Sequence, residues 1–457
     1  MKKLAYCLVA FVLLFSVMLI TNSYAHDYWK VNWEYKGAEV SGNDPDLKHY
    51  IWETARPPYG AWDKIQLHRF IRQKSNWDAD PYRPSQDARK VLFIIPGTYD
   101  RGFTKLSDIR TSENWFFAAN GYDVYSIEFR TAFMPNLAQG QFAQPEFGLA
   151  NELKSTAEWT YDVFREDIKA CVELAKRLSG GQKLFLAGRS RGGTQTWMYS
   201  AKYAKDLKGL ISLDGGVPYV LRNPSAQMTQ AAFQANVAAL KASGPYMGEV
   251  GAYELGQFAW AVPFATTSVG GPLPPVAALT FPPGTPSDKA QMKYVSDLVA
   301  YGYYYSSGPG IITNYYALYP GGNGETYMDR ATLVGIAGNF TRYWPHIQDL
   351  EGAAITNYGP NDTTPFGFDY NLTGKVNLPV LSFAGELTCT VFKACWEFGS
   401  PVPAGASYVP RTASNDVTDI YLHHYGHLDV YGGTHSLQDV KQPMLEWMNQ
   451  RLGTHKK

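Results

Sequence analysis

The run Lys183-Leu184-Phe185-Leu186-Ala187-Gly188-Arg189-Ser190-Arg191-Gly192-Gly193 is a short apolar strand that leads into the pattern G-x-S-x-G. Thr194-Gln195-Thr196-Trp197-Met198 then continues into a helix. This context constrains the fold more than the five-residue pattern does, because a chain with 42 glycines also produces such a pattern by chance. A strand that turns sharply into a helix projects the serine hydroxyl from the top of a sheet. Glycines on either side lack a Cβ and let two chain segments approach closely there. The helix that begins behind the serine aims its first N–H groups and the positive end of its dipole at the same point. One short stretch therefore points to a nucleophile, its scaffold and part of an oxyanion site.

Composition narrows the setting. The chain has 457 residues, 45% hydrophobic and 18% charged, which suits a globular protein with a sizeable core. Its formal net charge is zero, so no overall basic field favours nucleic acid. Aromatics reach 15%, including 32 tyrosines, and could furnish a large apolar binding surface.

The N-terminus carries the pattern of an export signal. Met1-Lys2-Lys3 is the positive start, Leu4 to Ile20 the apolar stretch, and Ser23-Tyr24-Ala25 the small-residue cleavage site. Residues 1–25 are expected to be removed, so that the mature chain begins at His26. An uncleaved membrane anchor is the alternative, since the apolar run is nearly long enough to span. No second stretch is long and apolar enough for a transmembrane helix, so no stable membrane segment is expected after cleavage.

Three cysteines follow the signal. Cys389 and Cys395 are expected to form a local disulfide in an oxidising compartment, with the reduced state as the alternative. Cys171 falls within an amphipathic helix pattern and reads as a buried thiol. The spacings of cysteine and histidine give no metal-site signature, and no cofactor is implied.

Strand and helix patterns alternate along much of the chain. Val91 to Ile95, Asp123 to Phe129, Lys183 to Ala187 and Gly209 to Gly215 read as strands. Leu106 to Asn120, Glu158 to Leu178 and the segment from Ser190 to about Lys205 read as helices. The alternation resumes with strands at Pro379 to Gly385 and Asp416 to His424, and a closing helix spans Leu437 to Arg451. Such alternation implies an α/β fold, a mostly parallel sheet with helices on both faces. Tyr28 to Glu39 and Asp63 to Arg72 either lead the sheet as antiparallel strands or pack over its edge.

Between the two blocks, residues 216–375 mix helix patterns with Pro- and Gly-rich loops. Ser225 to Ala242, Asp288 to Tyr303 and Met328 to Leu350 are the helical ones. This segment reads as an inserted, mainly helical cap, with residues 26–215 and 376–457 forming the core. The run Tyr301-Gly302-Tyr303-Tyr304-Tyr305, with Tyr304 and Tyr305 foremost, either lines a substrate pocket or packs within the cap.

Three motifs in register resemble the α/β-hydrolase superfamily, in its lipase/esterase-like branch. They are Ile95-Pro96-Gly97-Thr98 after a strand, Gly188-Arg189-Ser190-Arg191-Gly192, and Tyr425-Gly426-His427-Leu428-Asp429 after the last strand. The resemblance covers about residues 60 to 215 and 376 to 452, and the order oxyanion loop, nucleophile, acid, histidine matches that fold. It implies Ser190 as nucleophile and His427 as its base, with His423, His424 and His435 as competitors. A serine hydroxyl needs such a base, and an imidazole is suited to taking and returning a proton near neutral pH.

For the acid, the chain departs from the common pattern. Relatives often carry Gly-Glu-x-Asp after the seventh strand, but here Gly385-Glu386-Leu387-Thr388 places a threonine where the aspartate would be. Glu386 is the first choice for the acid, and Asp214, at the end of the preceding strand, is the alternative. Backbone N–H groups of Arg191 and Thr98, or of Tyr99 instead, would form the oxyanion hole. Arg189 and Arg191 either attract an anionic substrate or pair with acids such as Glu128 or Asp100.

The expected function is an exported serine hydrolase, periplasmic or extracellular, acting on a small-molecule or lipid-like carboxylic ester with an apolar or bulky acyl group. An amidase or peptidase on the same triad is the second reading. A non-catalytic binding protein on a hydrolase scaffold is the third, supported by Thr388.

Overall fold

The computed structural model describes residues 31–41, 44–73, 80–98, 100–103, 112–134, 156–181, 183–216, 219–222, 229–243, scattered positions from 332 to 352, then 376–385, 405, 407–410, 412–423 and 425–453. The signal pattern at residues 1–25 and most of the expected cap lie outside these residues, as do Cys389 and Cys395. Among the described residues no helix is long and apolar enough to cross a membrane.

Nine strands form one sheet. In chain order they begin with β1 (Glu34–Ser41), β2 (Asp44–Ala55), β3 (Lys64–Arg72), β4 (Val91–Ile95) and β5 (Asp123–Glu128). They continue with β6 (Leu184–Arg189) and β7 (Leu207–Leu213). A short strand, β8 (Tyr219–Arg222), precedes β9 (Val380–Gly385), β10 (Ser407–Pro410) and β11 (Val417–Leu422). The order across the large sheet is β1-β2-β3-β5-β4-β6-β7-β9-β11, while β8 and β10 pair separately as an antiparallel ribbon. Every pair from β5 to β11 is parallel, and β1, β2 and β3 add an antiparallel edge.

The leading segment thus extends the sheet and does not merely cover its edge. Its middle strand, β2, is absent from the strand patterns read in the sequence. Its burial runs without a clean alternation, because His49 and Lys48 are buried beside Tyr50. The signal that marks a half-buried strand is therefore missing.

Parallel strands covered on both faces read as continuous apolar runs, and VLFII in β4 is buried at every position. Successive side chains point to opposite faces. Leu92, Ile94, Phe185, Ala187, Ile211 and Phe383 join a cluster with Trp115, Phe117, Met444 and Trp447. Phe93, Ile95, Leu184, Leu186 and Leu210 join a second cluster with Phe164, Ile168, Val172, Trp197 and Tyr199. The helices supplying these side chains are α1 (Glu113–Ala119), α2 (Tyr161–Ser179), α3 (Arg191–Tyr203) and α5 (Gln442–Gln450), while a further helix, α4 (Gln230–Ser243), joins neither cluster. The first cluster is covered by α1 and α5, the second by α2 and α3. Each apolar side chain buried in this way contributes roughly 1.5–3 kcal/mol.

Helix boundaries follow their caps. Ser112 accepts a hydrogen bond from the Trp115 N–H and starts α1; residues 104–111, within the helix expected from Leu106, lie outside the described set. Thr160 accepts from the Val163 N–H, and Gly180 ends α2 in the left-handed conformation, φ 69°. Cys171 is buried and free. A buried ion network anchors α2 to the antiparallel edge. Asp167 binds Arg56 at 2.9 Å and Arg130 at 2.6 Å, and Arg130 also binds Asp63 at 2.5 Å.

Candidate functional site

Parallel register brings the functional loops to one edge. Ile95 pairs with Gly188, Arg189 with Leu213, Leu213 with Phe383, and Leu422 with Gly385. The strands β4, β6, β7, β9 and β11 therefore end level with one another. Pro96-Gly97, Ser190, Asp214 and the Tyr425–His427 segment all follow directly at their C-terminal ends, where open α/β sheets bind ligands.

Ser190 occupies φ 51°, ψ −123°, a conformation that side-chain-bearing residues rarely adopt. Such strain costs of order 1–3 kcal/mol and persists only where the surroundings over-determine it. Here they do: the Ser190 N–H donates to the Leu213 carbonyl at 3.0 Å, and the Ser190 carbonyl accepts from the Gly193 N–H at 2.9 Å. The turn is tight enough that a Cβ on Gly188 would lie 2.2 Å from the Gly192 carbonyl carbon. Only glycine fits there. Ser190 itself is half-buried, with α3 beginning at the next residue.

The loop after β4 lies against the serine. A Cβ built on Gly97 would stand 3.0 Å from the Ser190 Cβ and 3.7 Å from its Oγ. Thr98 follows in a turn and is partly exposed, while Tyr99 lies outside the described residues. Arg191 is the first residue of α3, so its backbone belongs to the helix N-terminus, and its guanidinium sits 5.4 Å from the Trp344 ring centroid.

His427 is buried, whereas its competitors His423 and His435 are exposed; His424 lies outside the described residues. The His427 Nδ1 is hydrogen-bonded to Asp214 Oδ2. Asp214 is held in turn. Its own φ is 46°, its N–H donates to the Phe383 carbonyl, and its Oδ1 accepts from the Gly385 N–H, both at 2.9 Å. The carboxylate on the imidazole is thus the runner-up of the sequence reading. Glu386, the first choice, lies outside the described residues. Asp214 reaches the histidine because β9 lies between β7 and β11, and the side chain passes over the end of β9 at Gly385.

A further acid supports the histidine loop. Asp429 is wholly buried, and its Oδ2 accepts from the Gly426 N–H at 2.8 Å. Burial, against the Gly426 N–H bond and with the help of nearby Asp214, pushes its carboxyl up to about 7. The Tyr425 hydroxyl donates to Asp439 at 2.7 Å and fixes the other side of the loop. Asp429 belongs to the motif that pointed to His427, but the motif carried no sign of this backbone contact.

Of the two flanking arginines, Arg189 is buried and ion-paired to Asp100 at 2.7 Å and to Glu113 at 3.1 Å. It stands as an internal ion-pair partner. Glu128 does not join it; that carboxyl faces His68 at 3.7 Å. Tyr304 and Tyr305 lie outside the described residues.

No family model matches the chain. Over 77 residues it is 35% identical to a proline iminopeptidase of Saccharolobus solfataricus, a match covering 16% of this chain and 24% of that protein. The match therefore spans about a quarter of the relative's length. The crystal structure of a candidate lipase from Sulfolobus solfataricus superposes with a TM-score of 0.57 at 25% identity, covering 92% of this chain and 99% of the other. On this likeness and the sheet order described above, the chain belongs to the α/β-hydrolase superfamily.

Proposed function

We propose that this hydrolase of the α/β-hydrolase type is an exported serine hydrolase that cleaves carboxylic esters through an acyl-enzyme. The observation that carries the reading is the Asp214–His427 hydrogen bond, formed at the same sheet edge that holds Ser190 in a strained turn. A carboxylate on Nδ1 fixes the imidazole tautomer and leaves Nε2 to act as base.

In this mechanism His427 takes the Ser190 hydroxyl proton as Oγ bonds to the ester carbonyl carbon. Negative charge moves onto the carbonyl oxygen. Backbone N–H groups at the start of α3 and in the Gly97–Thr98 turn stabilise it, and losing one such donor typically costs roughly 3 kcal/mol. The tetrahedral intermediate collapses, the C–O bond to the alcohol breaks, and the alcohol leaves with the proton from His427. Water then repeats the sequence on the acyl-enzyme, freeing the acid and restoring Ser190. Asp214 stabilises the imidazolium as it forms.

Residues 216–375 are assigned to a cap that selects apolar or bulky acyl groups, and the pattern in residues 1–25 supports export. The test uses purified protein with short- and long-chain nitrophenyl esters. Hydrolysis by the wild type, abolished in Ser190→Ala, is the expected result. A wild type inactive on every ester, or a Ser190→Ala variant with full activity, would sink the reading. Peptide or amide cleavage is the second reading, favoured by the local likeness to a proline iminopeptidase. Matched ester and amide substrates separate the two.

A further inference from the structure

We propose that Arg189 is a positioning residue that holds the oxyanion loop and the histidine wall in register with Ser190, a role that rests on the serine-hydrolase reading above. Arg189 precedes the nucleophile in the chain, yet its side chain is turned into the protein and is only 6% exposed. It makes three contacts, each with a different part of the site.

The first contact is to the oxyanion loop. Arg189 Nη1 donates to Asp100 Oδ2 at 2.7 Å. Asp100 closes the turn that begins at Gly97, because its N–H donates to the Gly97 carbonyl at 3.3 Å. Its other carboxylate oxygen accepts from the Arg101 N–H at 2.9 Å. Through its N–H and its carboxylate, Asp100 therefore ties together the two ends of the turn that lies against Ser190.

A second contact reaches α1. Arg189 Nε stands 3.1 Å from Glu113 Oε2, on the first residue of that helix. Asp100 and Glu113 are both buried, which raises their carboxyls, and Arg189 works against that rise in each. A guanidinium spans two carboxylates with a rigid fork, where an ammonium would reach one at a time.

The third contact is with Tyr431, which stands beside the histidine. The guanidinium carbon lies 5.6 Å from the Tyr431 ring centroid, and Tyr431 packs edge-on against His427 at 6.1 Å. Lys441 holds Tyr431 from behind, donating to its carbonyl at 3.1 Å and to Ser436 at 2.8 Å. A change at Arg189 thus shifts the loop that receives the oxyanion and loosens the wall behind the base. Arg189 itself does not touch substrate, so the effect falls on transition-state geometry and spares ground-state binding.

The test compares wild type, Arg189→Lys, Asp100→Asn and the double variant on a nitrophenyl ester. Melting temperature, kcat, KM and the affinity of a boronic acid that mimics the tetrahedral intermediate are all measured. Arg189→Lys is expected to fold and to lose roughly 10- to 100-fold in kcat with KM within about threefold. Boronic acid affinity should fall in parallel. Asp100→Asn should reproduce the defect, and the double variant should be little worse than either, because both act through one link. Should Arg189→Lys fail to fold, Asp100→Asn is judged on the same kcat and boronic acid readouts. Unchanged kcat and boronic acid affinity in these variants, with an active wild type, would overturn the positioning role alone. A wild type that neither hydrolyses esters nor binds the boronic acid would overturn the serine-hydrolase reading and this role with it.

Discussion

Asp214 reaches His427 only because of two backbone choices made far apart in the chain: a left-handed φ of 46° at the aspartate and an N–H at Gly385 that receives its second oxygen. Neither is visible as a motif. Ser190 and His427 were legible because each depends on residues beside it, a glycine turn for one and the end of a strand for the other. The proposed acid depends on which side chain crosses a strand end, and the local pattern at Gly385-Glu386 carries no sign of that crossing. The proposed chemistry makes a sharp distinction here. Asp214→Asn should lower kcat by about 10⁴, the loss expected when the imidazole is held in the wrong tautomer. Glu386→Gln should stay within about threefold of wild type on the same ester. Equal losses in the two variants would return the acid to dispute.

At the scale of elements, the strands that carry the site were the easiest to read and the leading edge the hardest. The buried parallel strands announce themselves by unbroken apolar runs such as VLFII in β4 and the LFLA that opens β6. β2 does not, because His49 is buried against the rings of Phe70 and Phe103, with centroid distances of 4.2 and 4.6 Å. A polar residue made apolar in effect by stacking gives no alternation to detect. The helix ends are set by side chains that a periodicity argument passes over. Thr160 caps α2, whose buried face carries Phe164, Ile168 and Val172. Thr160→Ala is expected to cost about 1 kcal/mol, read as a lower midpoint in urea with an unchanged slope. An unchanged midpoint would show that the Asp167 ion network, and not the cap, fixes the start of that helix.

Among the described residues, buried charge gathers in part where the antiparallel edge meets the parallel sheet, at His68, Arg69, Asp123 and Glu128, and it makes stability depend on pH. Glu128, at the end of β5, is buried, and desolvation, opposed by Arg101 and aided by nearby Asp100, pushes its carboxyl from 4.5 up to about 8. Burial likewise drives His68 down to about 3, so the imidazole facing Glu128 is neutral at neutral pH. A carboxyl raised by folding binds its proton more tightly in the native state. Its stabilising contribution is complete below pH 4.5 and is lost as the pH climbs toward about 8. Glu128→Gln should therefore melt progressively higher relative to wild type as pH rises through that window. A constant difference in melting temperature would contradict it.

The central claim joins these scales: a sheet edge that aligns Ser190, His427 and Asp214 for nucleophilic chemistry. Its most direct measurement is peptide mapping by mass spectrometry after treatment with a fluorophosphonate, in wild type and in His427→Ala. A single stoichiometric adduct on Ser190 is expected in the wild type, formed at least about 100-fold more slowly in His427→Ala. An unmodified Ser190, an adduct on another residue, or equal labelling rates in the two proteins would contradict it.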